Sequence, residues 1–142
     1  AGLCLVWDHF SIVLLLFDFE KNKILVANAG HPPVIYYNSS EATLRELQIP
    51  GCALNLISDF VYESYEFDYS ENDLIFLYTD GLNETLNDEL EMFGEKRVES
   101  IIKQFNRESP EKLKSIILKE VVRFRSNFPI HDDLTFFIIK AE

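Results

Sequence analysis

Apolar and polar positions divide the chain into two regimes, a β-like first two-thirds and a helical last third closed by a strand. Residues 11–19 form a compact apolar run with β-branched and aromatic members. That pattern predicts a central strand buried on both faces. A polar turn over residues 20–23 and a short apolar run over 24–28 complete a predicted hairpin. Residues 34–37 read as a third strand after the Pro32-Pro33 break, and residues 43–47 as an edge strand after a polar turn over 38–41. Between 61 and 69, Val61, Tyr65, Phe67 and Tyr69 share one parity and Ser64, Glu66 and Asp68 the other, which predicts a half-buried strand. The turn Ser70-Glu71-Asn72-Asp73 then leads into a core strand over 74–78.

The period changes beyond that point. Val98, Ile101, Ile102 and Phe105 fall on one face of a helix, and Leu113, Ile116, Ile117, Val121 and Phe124 repeat the spacing. Ser109 has the chemistry of an N-cap for the second helix, with Pro110 at its first position and Glu111 near the positive end of its dipole. Residues 134–139 read as a closing strand. Mostly antiparallel sheet with a helical hairpin on one face is an α+β architecture. The length, 142 residues, suits one domain, residues 1–142, with one hydrophobic core.

Charge narrows the partners. Thirteen basic and 24 acidic residues give a formal net charge of −11. Such a surface repels nucleic acid and anionic lipid, and it repels phosphorylated substrates too unless cations intervene. The longest apolar run, residues 12–17, is too short to cross a bilayer. The stretch before it carries Asp8 and no basic residue, unlike a signal peptide. Cys4 and Cys52 have no metal-type spacing, so the expectation is two buried thiols in a reducing cytoplasm.

The candidate chemistry lies at strand ends. Asp80 follows the run 74–78 and precedes Gly81, while Asp132 and Asp133 precede the run starting at Leu134. Carboxylates at the ends of core strands can meet in space despite their separation in sequence. Hard divalent cations take oxygen ligands and keep several waters, so a few Asp residues suffice. The residues alone leave a second reading open, with Asp80-Gly81 a turn and Asp132 a loop or capping residue. His131 reads as a loop residue rather than a ligand, since this class of metal prefers oxygen.

Four segments occur in order: Asn28-Ala29-Gly30-His31-Pro32-Pro33, Tyr78-Thr79-Asp80-Gly81-Leu82-Asn83-Glu84, Met92-Phe93-Gly94 and Asp132-Asp133-Leu134-Thr135. Together they resemble the NAGHPP, YTDGlxE, FG and DDxT motifs of SpoIIE-like domains in the metal-dependent Ser/Thr protein phosphatase (PPM) family. The resemblance runs from about Phe10 to Lys140. It implies a core of β-sheets flanked by helices, and two Mn²⁺ or Mg²⁺ ions in the complete domain. By it Asp80 and Asp132 are metal ligands, and Gly81 lets the backbone turn sharply beside the metal. Asp133 and Thr135 either support the ligands through hydrogen bonds or cap the strand. His31 either shapes the site locally or takes part in catalysis. The implied reaction is metal-assisted hydrolysis of phosphoserine or phosphothreonine on a protein, with no phosphoenzyme. The implied substrates are STAS-domain anti-anti-sigma proteins in bacterial partner switching.

The sequence also departs from that pattern. The first metal motif, GDxxGHG, has no counterpart: Asp8 precedes His9 and lies too close to the strand starting at Ser11. The resemblance therefore covers the C-terminal part of the domain. Gly51-Cys52-Ala53-Leu54-Asn55 stands where the family has GxPLG, with Asn in place of the second Gly. Three readings follow: a piece of a longer phosphatase, with sensor domains upstream; a non-catalytic pseudophosphatase that binds the same partners; or a chain completed by a second one.

Overall fold

The computed structural model describes residues 10–130 and 132–142. Asp8, Cys4 and His131 lie outside the described residues. The described residues form seven strands, in two antiparallel sheets, and three helices. The chain contacts fall into two compact units. The first holds the strands up to His31 together with residues 49–68, and the second holds residues 32–48 and 69–142.

In the first unit, β1 (Ile12–Asp18), β2 (Lys23–Ala29) and β5 (Ser64–Asp68) form a three-stranded sheet in the order β1-β2-β5. The β1–β2 register pairs Leu15 with Val26 and Phe17 with Ile24, as the predicted hairpin requires. Ile24 and Val26 are fully buried. The expectation that residues 11–19 are buried on both faces is not met. β1 is an edge strand pairing with β2, and Leu14 and Leu16 are 62% and 63% exposed. A continuous apolar run signals that both faces can be buried; it does not say what covers each. β5 is also shorter than expected, and Val61 lies outside it and exposed. Cys52 is half-buried rather than buried.

In the second unit, β3 (Val34–Asn38), β4 (Thr43–Leu47), β6 (Leu74–Tyr78) and β7 (Phe136–Lys140) form a sheet in the order β4-β3-β6-β7. β4 is an edge strand, as the sequence reading of residues 43–47 expects. A short α1 (Asp80–Asn83) follows β6, and α2 (Glu95–Phe105) and α3 (Pro110–Arg125) precede β7. The Ser109 side chain accepts from Lys112 N at 3.3 Å, so the predicted cap is formed. Ile35 and Tyr37 of β3 and Leu74, Phe76 and Tyr78 of β6 share one parity. They pack with Val98 and Ile102 of α2 and Leu113 and Ile117 of α3. This is the core that the 3.6-residue spacing predicts.

Asp73, read from sequence as a turn residue, is 2% exposed. Its carboxylate accepts from the Tyr36 hydroxyl, from Ser39 N at 2.7 Å and from Ser70 N at 2.8 Å. Burial, followed by the bond to Asp73, pushes the Tyr36 phenol far above its ordinary value. Asp73→Ala removes the buried acceptor that these three donors share, so a loss of about 3 kcal/mol is expected, read as a lowered urea midpoint.

Glu46 of β4 has its carboxyl raised above the ordinary range, first by burial and then by Glu95 and Glu99. Folding thus disfavours its ionised form, and stability is lost as pH rises through the folded value. Glu46→Gln is therefore expected to stabilise the protein at neutral pH. That gain should fade below about pH 4, where Glu is protonated even when unfolded. Thermal melts across this range check the sign.

Candidate metal and phosphoryl site

β6 and β7 pair from Leu74↔Lys140 to Tyr78↔Phe136. The ladder runs one step further through the threonines of the two motifs. Thr79 N donates to Thr135 O at 3.0 Å, and Thr135 N donates to the Thr79 hydroxyl at 3.3 Å. Asp80 therefore leaves the sheet at the point where Asp133 enters it. Gly81 seals the meeting: a Cβ built on it would lie 2.3 Å from Asp133 O and 3.0 Å from Asp133 C. Only a residue without a side chain fits there.

Gly81 thus serves close approach. The sharp turn expected beside a metal is not what requires it, because Gly81 is a buried residue of α1. The turn read at Asp80-Gly81 is formed, with Leu82 N donating to Thr79 O at 3.0 Å, and Asp132 lies in a loop. Thr85 closes α1 by donating its hydroxyl to Gly81 O at 2.7 Å.

The carboxylates of Asp80 and Asp132 are exposed, and their recorded hydrogen bonds are local. Asp80 Oδ1 accepts from Gly81 N at 3.0 Å, and Asp132 Oδ1 accepts from Asp133 N at 2.8 Å. No Lys or Arg among the described residues forms an ion pair with either. Both side chains offer oxygen donors, the ligand type that Mn²⁺ and Mg²⁺ take. No group of three or more His, Cys, Asp or Glu among them is arranged to hold a metal ion.

Asp133 and Thr135 act through the backbone: Asp133 packs its carbonyl on Gly81, and Thr135 pairs with Thr79. His31 belongs to the first unit. There the Asn28 side chain clasps its backbone, accepting from His31 N at 2.8 Å and donating to His31 O at 2.9 Å. Asn28 is itself buried, and Gly51 lies so close that a Cβ on it would fall 1.8 Å from Asn28 O. Asn55, where the family has glycine, has φ +64°. Asn tolerates that left-handed conformation better than other non-glycine residues, so the departure preserves the backbone.

The Phe93-Gly94 element is structural. Phe93 is buried and meets the Phe124 ring edge-on at 5.4 Å. Gly94 caps α2 and donates its N–H to Asn83 O at 2.8 Å. Arg97 ties the element down by donating to Met92 O and Phe93 O. Sequence reasoning passed over Thr79, Thr85 and Arg97. The four-residue step from Gly81 to Thr85, one helical turn, was the available signal for the second.

The fold and the sequence both resemble known proteins. Phosphoserine phosphatase RsbU of Bacillus subtilis is 25% identical over 128 residues, covering 89% of this chain and 37% of RsbU. The SiaA-PP2C domain of Pseudomonas aeruginosa shares the fold with a TM-score of 0.80 at 17% identity, over 93% of this chain and 52% of that one. The phosphatase domain of SpoIIE from Bacillus subtilis, presoaked with Mn, matches with a TM-score of 0.67 at 18% identity, over 93% and 56%. The chain thus spans little more than a third of RsbU and about half of these solved chains. The family model for stage II sporulation protein E (SpoIIE) matches residues 6–142, and the chain belongs to that family.

Proposed function

We propose that this chain supplies part of a metal-dependent protein Ser/Thr phosphatase that hydrolyses phosphoserine or phosphothreonine on a signalling protein. The observation that carries this reading is the close approach of Gly81, next to Asp80, to the carbonyl of Asp133, next to Asp132, beside the Thr79–Thr135 pairing. Asp80 and Asp132 would hold the ions, with Gly81 packed between the two segments. When bound, Mn²⁺ or Mg²⁺ supplies Lewis acidity toward phosphoryl oxygens and makes water a nucleophile near neutral pH. The chain's own residues fix the geometry: the Thr79–Thr135 pairing sets the spacing of the strand ends, and Asp133 and Thr135 support the ligands. His31 is a candidate for proton transfer, its backbone fixed by Asn28.

The substrate class proposed is a STAS-domain anti-anti-sigma protein. Support comes from RsbU, a phosphoserine phosphatase by name, and from the match to SpoIIE, a cell-fate determinant. A cytoplasmic location and association with an upstream sensor domain or a second chain belong to the same proposal. No helix among the described residues is long and apolar enough to cross a membrane. One family model spanning both units supports reading residues 1–142 as part of a single functional domain.

The test is phosphate release from a phosphoserine protein by the full-length protein, with Mn²⁺ and after chelation. Release is expected with Mn²⁺ and not after chelation. Equal release under both conditions, or none with Mn²⁺, contradicts the proposal.

A further inference from the structure

A cavity of about 440 Å³ in the second unit has Gly81 and Asp132 in its lining. That volume lies in the ~300–1,000 Å³ range of ligand pockets. Away from those residues the walls turn apolar. Leu118 and Val122 of α3 stand on one side, and Met92 and Ile130 belong to the other segments of the lining. These four side chains are exposed, Val122 at 58% and Ile130 at 72%. Arg125 is the one cation among the described lining residues, and its guanidinium donates to Phe128 O at the end of its own helix.

The lining includes the candidate ligand Asp132 and Gly81, the neighbour of Asp80, so the cavity lies beside the place where the phosphatase reading puts the phosphoryl group. The rest of a phosphoprotein must lie somewhere beside that group. An extended peptide advances about 3.3–3.6 Å per residue, so residues a few positions from a phosphoserine reach the groove. Charge argues for the same occupant. A chain of net charge −11 offers a phosphoprotein no general electrostatic attraction. Binding energy must then come from contacts remote from the phosphate, and such contacts are what raise turnover of a protein substrate over a small phosphate ester.

We propose that this groove is the specificity site of the phosphatase and takes apolar side chains flanking the phosphoserine of its protein substrate. The inference rests on the phosphatase reading, which fixes the phosphate at Asp80 and Asp132. Leu118 and Val122 set the preference by burying the incoming side chain, and Met92 adapts to its shape.

The test uses the full-length protein with Mn²⁺ and three substrates: a phosphoserine peptide with leucines flanking the phosphoserine, the same peptide with serines there, and p-nitrophenyl phosphate. Wild type is expected to prefer the leucine peptide by about tenfold or more in kcat/KM. Val122→Glu, at an exposed position, should lower the ratio of leucine-peptide to p-nitrophenyl phosphate kcat/KM by a similar factor, and Leu118→Gln should lower it too. Equal rates on the two peptides, or a ratio unmoved in both variants, overturn the groove. If wild type hydrolyses none of the three substrates, the phosphatase reading fails. Calorimetric binding of the leucine peptide then decides the groove, with weakening by Val122→Glu expected and equal binding overturning it. Slow maleimide labelling of Val122→Cys in the free protein would show that its own polypeptide fills the groove, which also overturns the proposal.

Discussion

Asp80→Asn in the full-length protein is expected to cut Mn²⁺-dependent phosphoserine hydrolysis by more than about 100-fold while leaving the fold intact. Even residues that only orient a metal ligand are worth about 10–100-fold, so losing the charge of a ligand should cost more. The fold should survive because Asp80 is exposed and its recorded hydrogen bond, accepted from Gly81 N, can be accepted equally by the Asn carbonyl. A wild-type thermal midpoint with lost activity is therefore the expected pair of results. Undiminished activity in the variant would remove Asp80 from the ligand set.

Gly81→Ala acts on geometry instead of charge. The added Cβ meets the carbonyl of Asp133 at 2.3 Å, and both partners are backbone, so no side chain can swing aside. The two motif segments must separate. Overpacking of this kind costs about 1–3 kcal/mol, and a buried site wedged by backbone should lie at the upper end. Urea unfolding is expected to show that loss, accompanied by weaker Mn²⁺ binding. A variant as stable and as active as wild type would mean that the contact at Gly81 does not hold the two segments together.

Much of the second unit is legible in the sequence because its elements have strong periods. The spacing of Val98, Ile101 and Ile102 and the Ser109-Pro110-Glu111 cap lead directly to α2 and α3. The pairing of β6 with β7 is not legible, since nothing local says that residues 74–78 lie beside 136–140. The strand-end positions of Asp80 and Asp132 allow them to meet, and the motif resemblance makes them a pair of expected ligands. Exposure of β1 was missed because hydrophobicity reports what a face can bury and not what lies against it. Asp73 was missed for the converse reason: in a polar turn, one acid that collects three donors looks like its solvated neighbours Glu71 and Asn72.

The position of the fourth motif also explains why the groove was invisible. Its walls come from α3, from the segment after α1 and from the residues leading into β7. Each apolar residue there fits an amphipathic helix or an ordinary loop on its own. Only their convergence beside Asp132 gives them a shared role.

The most direct measurement is calorimetric titration of Mn²⁺ into the metal-free full-length protein, wild type against Asp80→Asn and Asp132→Asn. Saturable binding in the wild type, lost or greatly weakened in both variants, is the expected result. Wild-type affinity retained in both variants, or no binding by wild type up to millimolar Mn²⁺, would contradict a metal site built on the ends of β6 and β7.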